Sequence, residues 1–277
     1  MVEIGKMNRL PVLRASDFGL FLDGGELGDI LLPKRYVSSD SKPGDMLDVF
    51  IMLDSDDRVV ATTLKPYAMA DEFAFLRVVS VTGIGAFLDW GLPKDLLVPF
   101  REQKIKMREG ESYLVRIYLD HASNRLVASS KLDKYLDKTD VVFEAGEKVG
   151  LLIGAKTDLG YKAIINGTHW GVIFHNEVFE PLVRGRRMEG YIKQVRPDGK
   201  IDLCLHKPGY EKVTELTDVI LNHLEKLGGF MPISGQSSPE ELYRLFGVSK
   251  KTYKQAIGAL YKKRLITFEN GGTKRVG

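Results

Sequence analysis

The chain has 277 residues, 44% hydrophobic and 28% charged, with a formal net charge of +3, which predicts two to four domains of ordinary globular composition. Apolar runs such as Leu151-Leu152-Ile153 are far too short to span a bilayer, and residues 1–6 lack the apolar core of a signal peptide. Cys204 is the single cysteine, which excludes an intrachain disulfide and a cysteine-based zinc site, so a cytoplasmic location is expected.

From the N-terminus, apolar or alternating runs at 12–13, 20–22, 30–32, 47–53 and 58–62 are punctuated by Gly, Asp, Ser and Pro, which predicts five short strands. Five strands in so short a stretch suit a small Greek-key barrel, whose closure removes open sheet edges. The pattern then repeats. Phe18-Gly19-Leu20-Phe21-Leu22-Asp23 returns 66 residues later as Ile84-Gly85-Ala86-Phe87-Leu88-Asp89, and Asp29-Ile30-Leu31-Leu32-Pro33 as Asp95-Leu96-Leu97-Val98-Pro99. Gly44 falls on Gly110 and Asp54 on Asp120. After one inserted residue, Arg58-Val59-Val60-Ala61-Thr62 falls on Arg125-Leu126-Val127-Ala128-Ser129. A more divergent third copy places Gly160, Gly185 and Lys200-Ile201-Asp202-Leu203-Cys204 a further 75 residues on, with Leu159 in place of the aromatic. The units are long and lack a constant helical pattern, which disfavours a solenoid.

Residues 211–277 change character. Leu216, Val219, Ile220, His223, Leu224 and Leu227 follow a helical period that Gly228-Gly229 ends. Ser238-Pro239-Glu240-Glu241 starts a second helix with a capping box, carrying Leu242, Leu245 and Phe246. Ser249 caps a third helix running to about Lys263, with Tyr253, Ala256, Ile257 and Leu260 inward. Residues 265–276, with Asn270-Gly271-Gly272 between two runs, read as a hairpin. Three helices and a β wing describe a winged helix.

The expected class is therefore multidomain and mainly β: three OB-like five-stranded β-barrels in tandem at 1–68, 69–140 and 141–210, then an α/β winged-helix domain at 211–277. Charge is graded along it. Residues 1–70 carry 8 Lys+Arg against 11 Asp+Glu, and residues 211–277 carry 11 against 7, so a polyanion would meet the C-terminal half first.

The string Asp17-Phe18-Gly19-Leu20-Phe21-Leu22, the apolar triplet ending at Pro33, Gly44-Asp45 and the Asp54…Arg58 pair resemble the S1 RNA-binding family. The order of three such units plus the C-terminal segment, with Tyr191-Ile192-Lys193-Gln194-Val195-Arg196-Pro197-Asp198-Gly199-Lys200-Ile201-Asp202-Leu203 in the third, resembles the conserved virulence factor B (YitL-like) family. That resemblance implies RNA binding and control of gene expression. In S1 domains the surface is built from two aromatics around the glycine, a histidine on the next strand and an Asp/Arg pair near the last. The matching positions are Phe18, Phe21, Pro33, Asp54 and Arg58 in unit one, and Phe87, near Trp90, with Arg125 in unit two. Pro33 and Pro99 occupy the histidine position. Unit three offers Tyr161, Lys162, Trp170 and His175, with Lys193, Arg196 and Lys200 close together. Phe18 and Phe21 are three apart, so they share a face only if Gly19 opens a bulge. On the winged helix, Lys250, Lys251, Lys254, Lys262, Lys274 and Arg275 are the candidate contacts to nucleic acid.

No catalytic residue, metal or cofactor is expected. Asp54, Asp56 and Asp57 lie in one tight connection and read as a polar turn, whereas a nuclease needs carboxylates converging from separate elements. Gly83-Ile84-Gly85 lacks the third glycine and the helix of a dinucleotide site. The expected partner is single-stranded RNA, with no membrane and a monomer favoured. A DNA-binding transcription regulator led by the winged helix is the alternative, and a nuclease with accessory S1 domains comes after it.

Overall fold

The computed structural model describes residues 1–178, 181–206 and 211–276, apart from the side chains of 211–215. Barrel 1 contains β1 (Met7–Ser16), β2 (Gly19–Asp23), β3 (Asp29–Pro33), β4 (Met46–Leu53) and β5 (Val59–Thr62). Barrel 2 contains β6 (Phe73–Val81), β7 (Gly85–Asp89), β8 (Leu96–Pro99), β9 (Ser112–Asp120) and β10 (Arg125–Ser129). Barrel 3 contains β11 (Lys148–Lys156), β12 (Gly160–Ile165), β13 (His169–Phe174), β14 (Arg187–Val195) and β15 (Ile201–Cys204). Each closes with its third strand parallel to its fifth, in barrel 1 as β1-β2-β3-β5-β4. The mainly β, three-barrel architecture matches the expectation from the repeat.

The first strand is longer than its sequence suggests because it serves two partners. Residues 7–11 pair with β4 and residues 12–16 with β2, with a bulge between Val12 and Arg14 at the bend. β6 and β11 carry the same irregularity, between Val78 and Ser80 and between Ile153 and Lys156. The bulge is therefore on the first strand and not at Gly19. Phe18 precedes β2 in a turn, while Phe21 lies on the strand.

The repeat glycines have a different task. Gly19, Gly85 and Gly160 have φ of 145°, 156° and 152°. A Cβ at each would sit 2.0, 2.3 and 2.0 Å from the carbonyl oxygens of Leu32, Val98 and Ile173 on the neighbouring strand. Gly44, Gly110 and Gly185, also at positive φ, donate their N–H groups to Val12, Val78 and Ile153 beside the bulges.

Residues 1–136 form one compact unit and residues 137–277 another. Within the first, barrels 1 and 2 share a core. On β4, Val49 and Ile51 point into barrel 1, so Phe50 must point out. It is nevertheless fully buried, among the core residues of barrel 2, with its ring edge-on to Trp90 at 5.7 Å. Polar contacts ring this plug. Lys94 Nζ donates to the carbonyls of Leu53 and Asp54 at 3.2 and 2.9 Å. Arg125 donates Nε and Nη2 to the two carboxylate oxygens of Asp57 at 2.8 and 2.7 Å. On the other side Lys6 donates to the carbonyl of Ala70, and Arg116 to Asp71 at 2.9 Å. The Arg125 hydrogen bonds hold the Asp57 carboxyl below the usual range. Burial pushes the Asp71 carboxyl up, but Arg116 and Lys6 outweigh it and the net direction is down.

In the second unit, α1 (Glu211–Lys226), β16 (Phe230–Met231), α2 (Pro239–Phe246), α3 (Lys250–Lys262), β17 (Ile266–Glu269) and β18 (Gly272–Arg275) follow barrel 3. Their sheet order is β16-β18-β17; the two-residue β16 adds a third strand to the expected hairpin. Leu216, Ile220, Leu224, Leu242, Tyr253, Ile257 and Leu260 form the core. Ser238 accepts from the Glu241 N–H while Glu241 accepts from the Ser238 N–H, the reciprocal cap expected at α2. The boundary expected between 210 and 211 borders residues 207–210, which lie outside the described ones. No described helix is long and apolar enough to cross a membrane.

Four outcomes follow for stability. Gly85→Ala is expected to destabilise the first unit by roughly 2–3 kcal/mol in denaturant unfolding, because backbone and not a movable side chain occupies the Cβ position. Gly83→Ala in the same turn, with open space at its Cβ, is expected to change it by less than about 0.5 kcal/mol. Ser238→Ala is expected to cost the winged helix about 1 kcal/mol. Because the Asp57 and Asp71 carboxyls are lowered in the folded state, their contribution is present above the unfolded value near pH ~4 and is lost as pH falls through the folded values. The junction between barrels 1 and 2 is therefore expected to loosen in acid, read as faster amide exchange around Asp57 and Asp71.

Candidate nucleic-acid interface

Alternation along the second and third strands of each barrel puts one row of side chains into the core and the next onto a common outer face. Barrel 3 has the fullest such face. On β13, His169, Gly171 and Ile173 are buried while Trp170, Val172 and Phe174 look outward. Lys162 of β12 pairs in register with Val172, and its ammonium lies 4.3 Å from the centre of the Trp170 ring. On the other flank the Arg196 guanidinium sits 5.4 Å from the Phe174 ring centre and is held by Asp202 at 2.8 Å. Two aromatics and two cations thus share a strip of sheet.

The alternation also corrects the sequence reading. Tyr161 is one residue out of phase with Lys162; it is only 6% exposed and its ring belongs to the barrel core, so it offers no stacking surface. Phe174, in strict repeat register with Pro33 and Pro99, holds the outward position. His175 follows it, exposed, with Nε2 3.2 Å from the carbonyl of Thr157. The cluster of Lys193, Arg196 and Lys200 is neutralised pair by pair, by Glu177 at 2.7 Å, Asp202 at 2.8 Å and Asp198 at 2.7 Å.

Barrel 1 exposes Phe21, Leu31, Pro33 and Val60 in register across β2, β3 and β5. The Arg14 guanidinium lies over the Phe21 ring at 3.7 Å. Phe18 is 75% exposed at the rim. Arg58 is exposed but bound to Asp54 at 2.7 Å and Asp56 at 2.9 Å. Burial pushes the Asp54 carboxyl up; its hydrogen bonds from the Arg58 side chain and from the backbone of Arg58 and Asp56 outweigh that and lower it. These acids build the turn and its ion pairs, as a polar connection should. Among the described residues no three His, Cys, Asp or Glu side chains gather where a metal ion could bind.

Barrel 2 differs. Phe87 and Leu97 look outward, but Met52 and Leu53 of barrel 1 face them across a small cavity. Arg125 carries Asp57, and Trp90 is 3% exposed with Nε1 donating to the Lys94 carbonyl.

On the winged helix, Lys274 and Arg275 pair with Glu269 and Glu225 at 3.0 and 3.1 Å. Lys250 reaches the Gln236 carbonyl. Among the described residues Lys251, Lys254 and Lys262 have no acidic partner, and Lys263 and Arg264 extend that exposed positive run. Beside it Tyr261 and Phe268 stack at 5.4 Å and 24°, although 55% and 44% exposed. Sequence reasoning missed this pair because they lie on different elements, α3 and β17.

Residues 4–64 match the S1 domain family, and residues 218–274 match the CvfB-like winged helix domain family. The chain is 29% identical to the uncharacterized protein YitL of Bacillus subtilis, over 97% of this chain and 92% of that protein. It is 25% identical, with the same coverage of each, to conserved virulence factor B of Staphylococcus aureus. A solved multidomain protein with nucleic acid binding domains from Streptococcus pneumoniae is 22% identical and aligns over 99% of this chain and 98% of its own, with a TM-score of 0.41. With an S1 domain match near one end, a CvfB-like winged helix match near the other and alignments across almost the whole length, the chain is similar throughout to YitL and conserved virulence factor B.

Proposed function

We propose that this protein is a cytoplasmic, non-enzymatic regulator that binds single-stranded RNA and acts on gene expression after transcription. The S1 match supports nucleic-acid binding. The observation that carries the choice of an unpaired strand is the outer strip of barrel 3, where Trp170 and Phe174 are flanked by Lys162 and Arg196. Aromatic faces beside cations hold a strand by stacking bases and neutralising phosphates; a paired base has no free face to offer. The exposed Tyr261–Phe268 stack beside the lysines of α3 supports the same choice for the winged helix. Phe18 and Phe21 extend the stacking surface on barrel 1. The four modules expected at 1–68, 69–140, 141–210 and 211–277 are kept in this proposal as units of one monomer. The unpaired Lys251 and Lys254 near the start of α3 favour duplex DNA as the second reading, since that helix enters the major groove in DNA-binding relatives of the fold.

Binding to matched single-stranded RNA, single-stranded DNA and duplex DNA at one ionic strength separates these readings. Single-stranded RNA is expected to bind most tightly, and equal or tighter binding of the duplex sinks the proposal. Trp170→Ala should weaken RNA binding by about 1–3 kcal/mol, the usual contribution of one stacked base. Replacing Lys251, Lys254 and Lys262 together with alanine should flatten the slope of log affinity against log salt by up to about 2, at roughly 0.7 per phosphate contact.

A further inference from the structure

We infer that a strand lying on barrel 1 continues into the groove between barrels 1 and 2, over Arg35 and Tyr36, and does not cross onto the outer face of barrel 2. The inference rests on the single-stranded RNA reading above and names a nucleotide site that adds Arg35, Tyr36 and a wall of barrel 2 to the S1-like positions Pro33 and Arg58.

Two observations meet here. The first comes from the repeat. Arg58, Arg125 and Lys200 hold equivalent positions at the start of the last strand in the three barrels. In barrels 1 and 3 that cation is paired within its own barrel, to Asp54 and Asp56 or to Asp198. In barrel 2 it is paired across the junction: both oxygens of Asp57 sit on Arg125, as two oxygens of a phosphate would. Met52 and Leu53 stand over Phe87 and Leu97 beside it. Barrel 1 thus occupies the part of barrel 2 where an S1 domain would carry its strand.

The second observation is what the same junction opens on its other side. Leu31, Pro33, Val60 and Arg58 at the edge of barrel 1's outer face run on into a groove of about 260 Å³ whose far wall is Pro93 and Lys94 of barrel 2. At its end the exposed guanidinium of Arg35 lies 4.8 Å over the Tyr36 ring. Arg35 has no acidic partner among the described residues. Lys94 is fixed by two barrel 1 carbonyls, which sets the width of the groove. Among the groove's charged linings, Arg35, Arg58 and Lys94 outnumber Asp54. An aromatic edge, a free guanidinium and a positive wall, continuous with the barrel face, fit one further nucleotide: its base against Tyr36 and Pro33, its phosphate at Arg35.

The test uses the full chain and single-stranded RNA carrying 4-thiouridine at successive positions, with cross-links mapped by peptide mass spectrometry. Cross-links are expected in the segment 33–36 and absent from 84–97. Arg35→Ala should lower the salt slope by about 0.7, one phosphate contact, and abolish the cross-links at 33–36 while leaving those in barrel 3. Cross-links at 84–97, or cross-links confined to residues 137–277, overturn the inference and leave the RNA reading intact. An RNA that cross-links nowhere and does not bind removes both.

Discussion

Everything on the outer faces depends on one backbone contact repeated three times. At Gly19, Gly85 and Gly160 a carbonyl of the neighbouring strand comes so close that a Cβ has no room. That approach starts the second strand in phase with the third, so that Phe21, Phe87 and Lys162 all face outward while Leu22, Leu88 and Ala163 face the core. A larger residue would have to push the strands apart, and with period-two alternation any shift of register exchanges core and surface. The glycines at the next landmark, Gly44, Gly110 and Gly185, hold the first strand where it bends from one partner to the other. Binding chemistry is therefore mounted on a frame whose fixed points carry no side chain.

On that common frame the three barrels differ mainly in what holds their cations. Barrel 3 keeps Lys162 on an indole and Arg196 between a phenyl ring and a carboxylate. Barrel 1 keeps Arg14 on Phe21. Barrel 2 gives Arg125 to Asp57 and its apolar neighbours to Phe50 and Met52, which makes it the partner that orients barrel 1. Within the more basic C-terminal half, Lys193, Lys200, Lys274 and Arg275 are each matched by a nearby acid. Exposed pairs of this kind contribute little to stability and can exchange an acid for a phosphate. The unmatched cations of α3 need no such exchange.

Much of the fold was legible because its landmarks are backbone requirements that leave glycines and prolines at fixed spacings. The capping residues Ser238, Glu241 and Ser249 were legible for the same reason: each satisfies an N–H within three residues of itself. Contacts between distant elements left no local trace. Phe50 reads as one more apolar residue in an apolar strand, and only the neighbouring barrel explains its burial. Tyr161 and His175 were assigned by residue type, where strict register and alternation decide: counting 75 from Pro99 reaches Phe174, and counting along β12 sends Tyr161 inward. The Tyr261–Phe268 pair and the groove at Arg35 exist only once separate elements are brought together.

The two tryptophans provide the most direct test of the account. Trp90 is buried at the junction with its indole N–H bound to a carbonyl, while Trp170 lies on the outer strip of barrel 3. In the ¹⁵N-labelled full-length protein their indole resonances can be followed separately as single-stranded RNA is added. The account predicts that the Trp170 resonance shifts in a saturable, salt-sensitive way while Trp90 stays in place. A Trp170 resonance that does not move at saturating RNA, or that moves equally with duplex DNA, would contradict it.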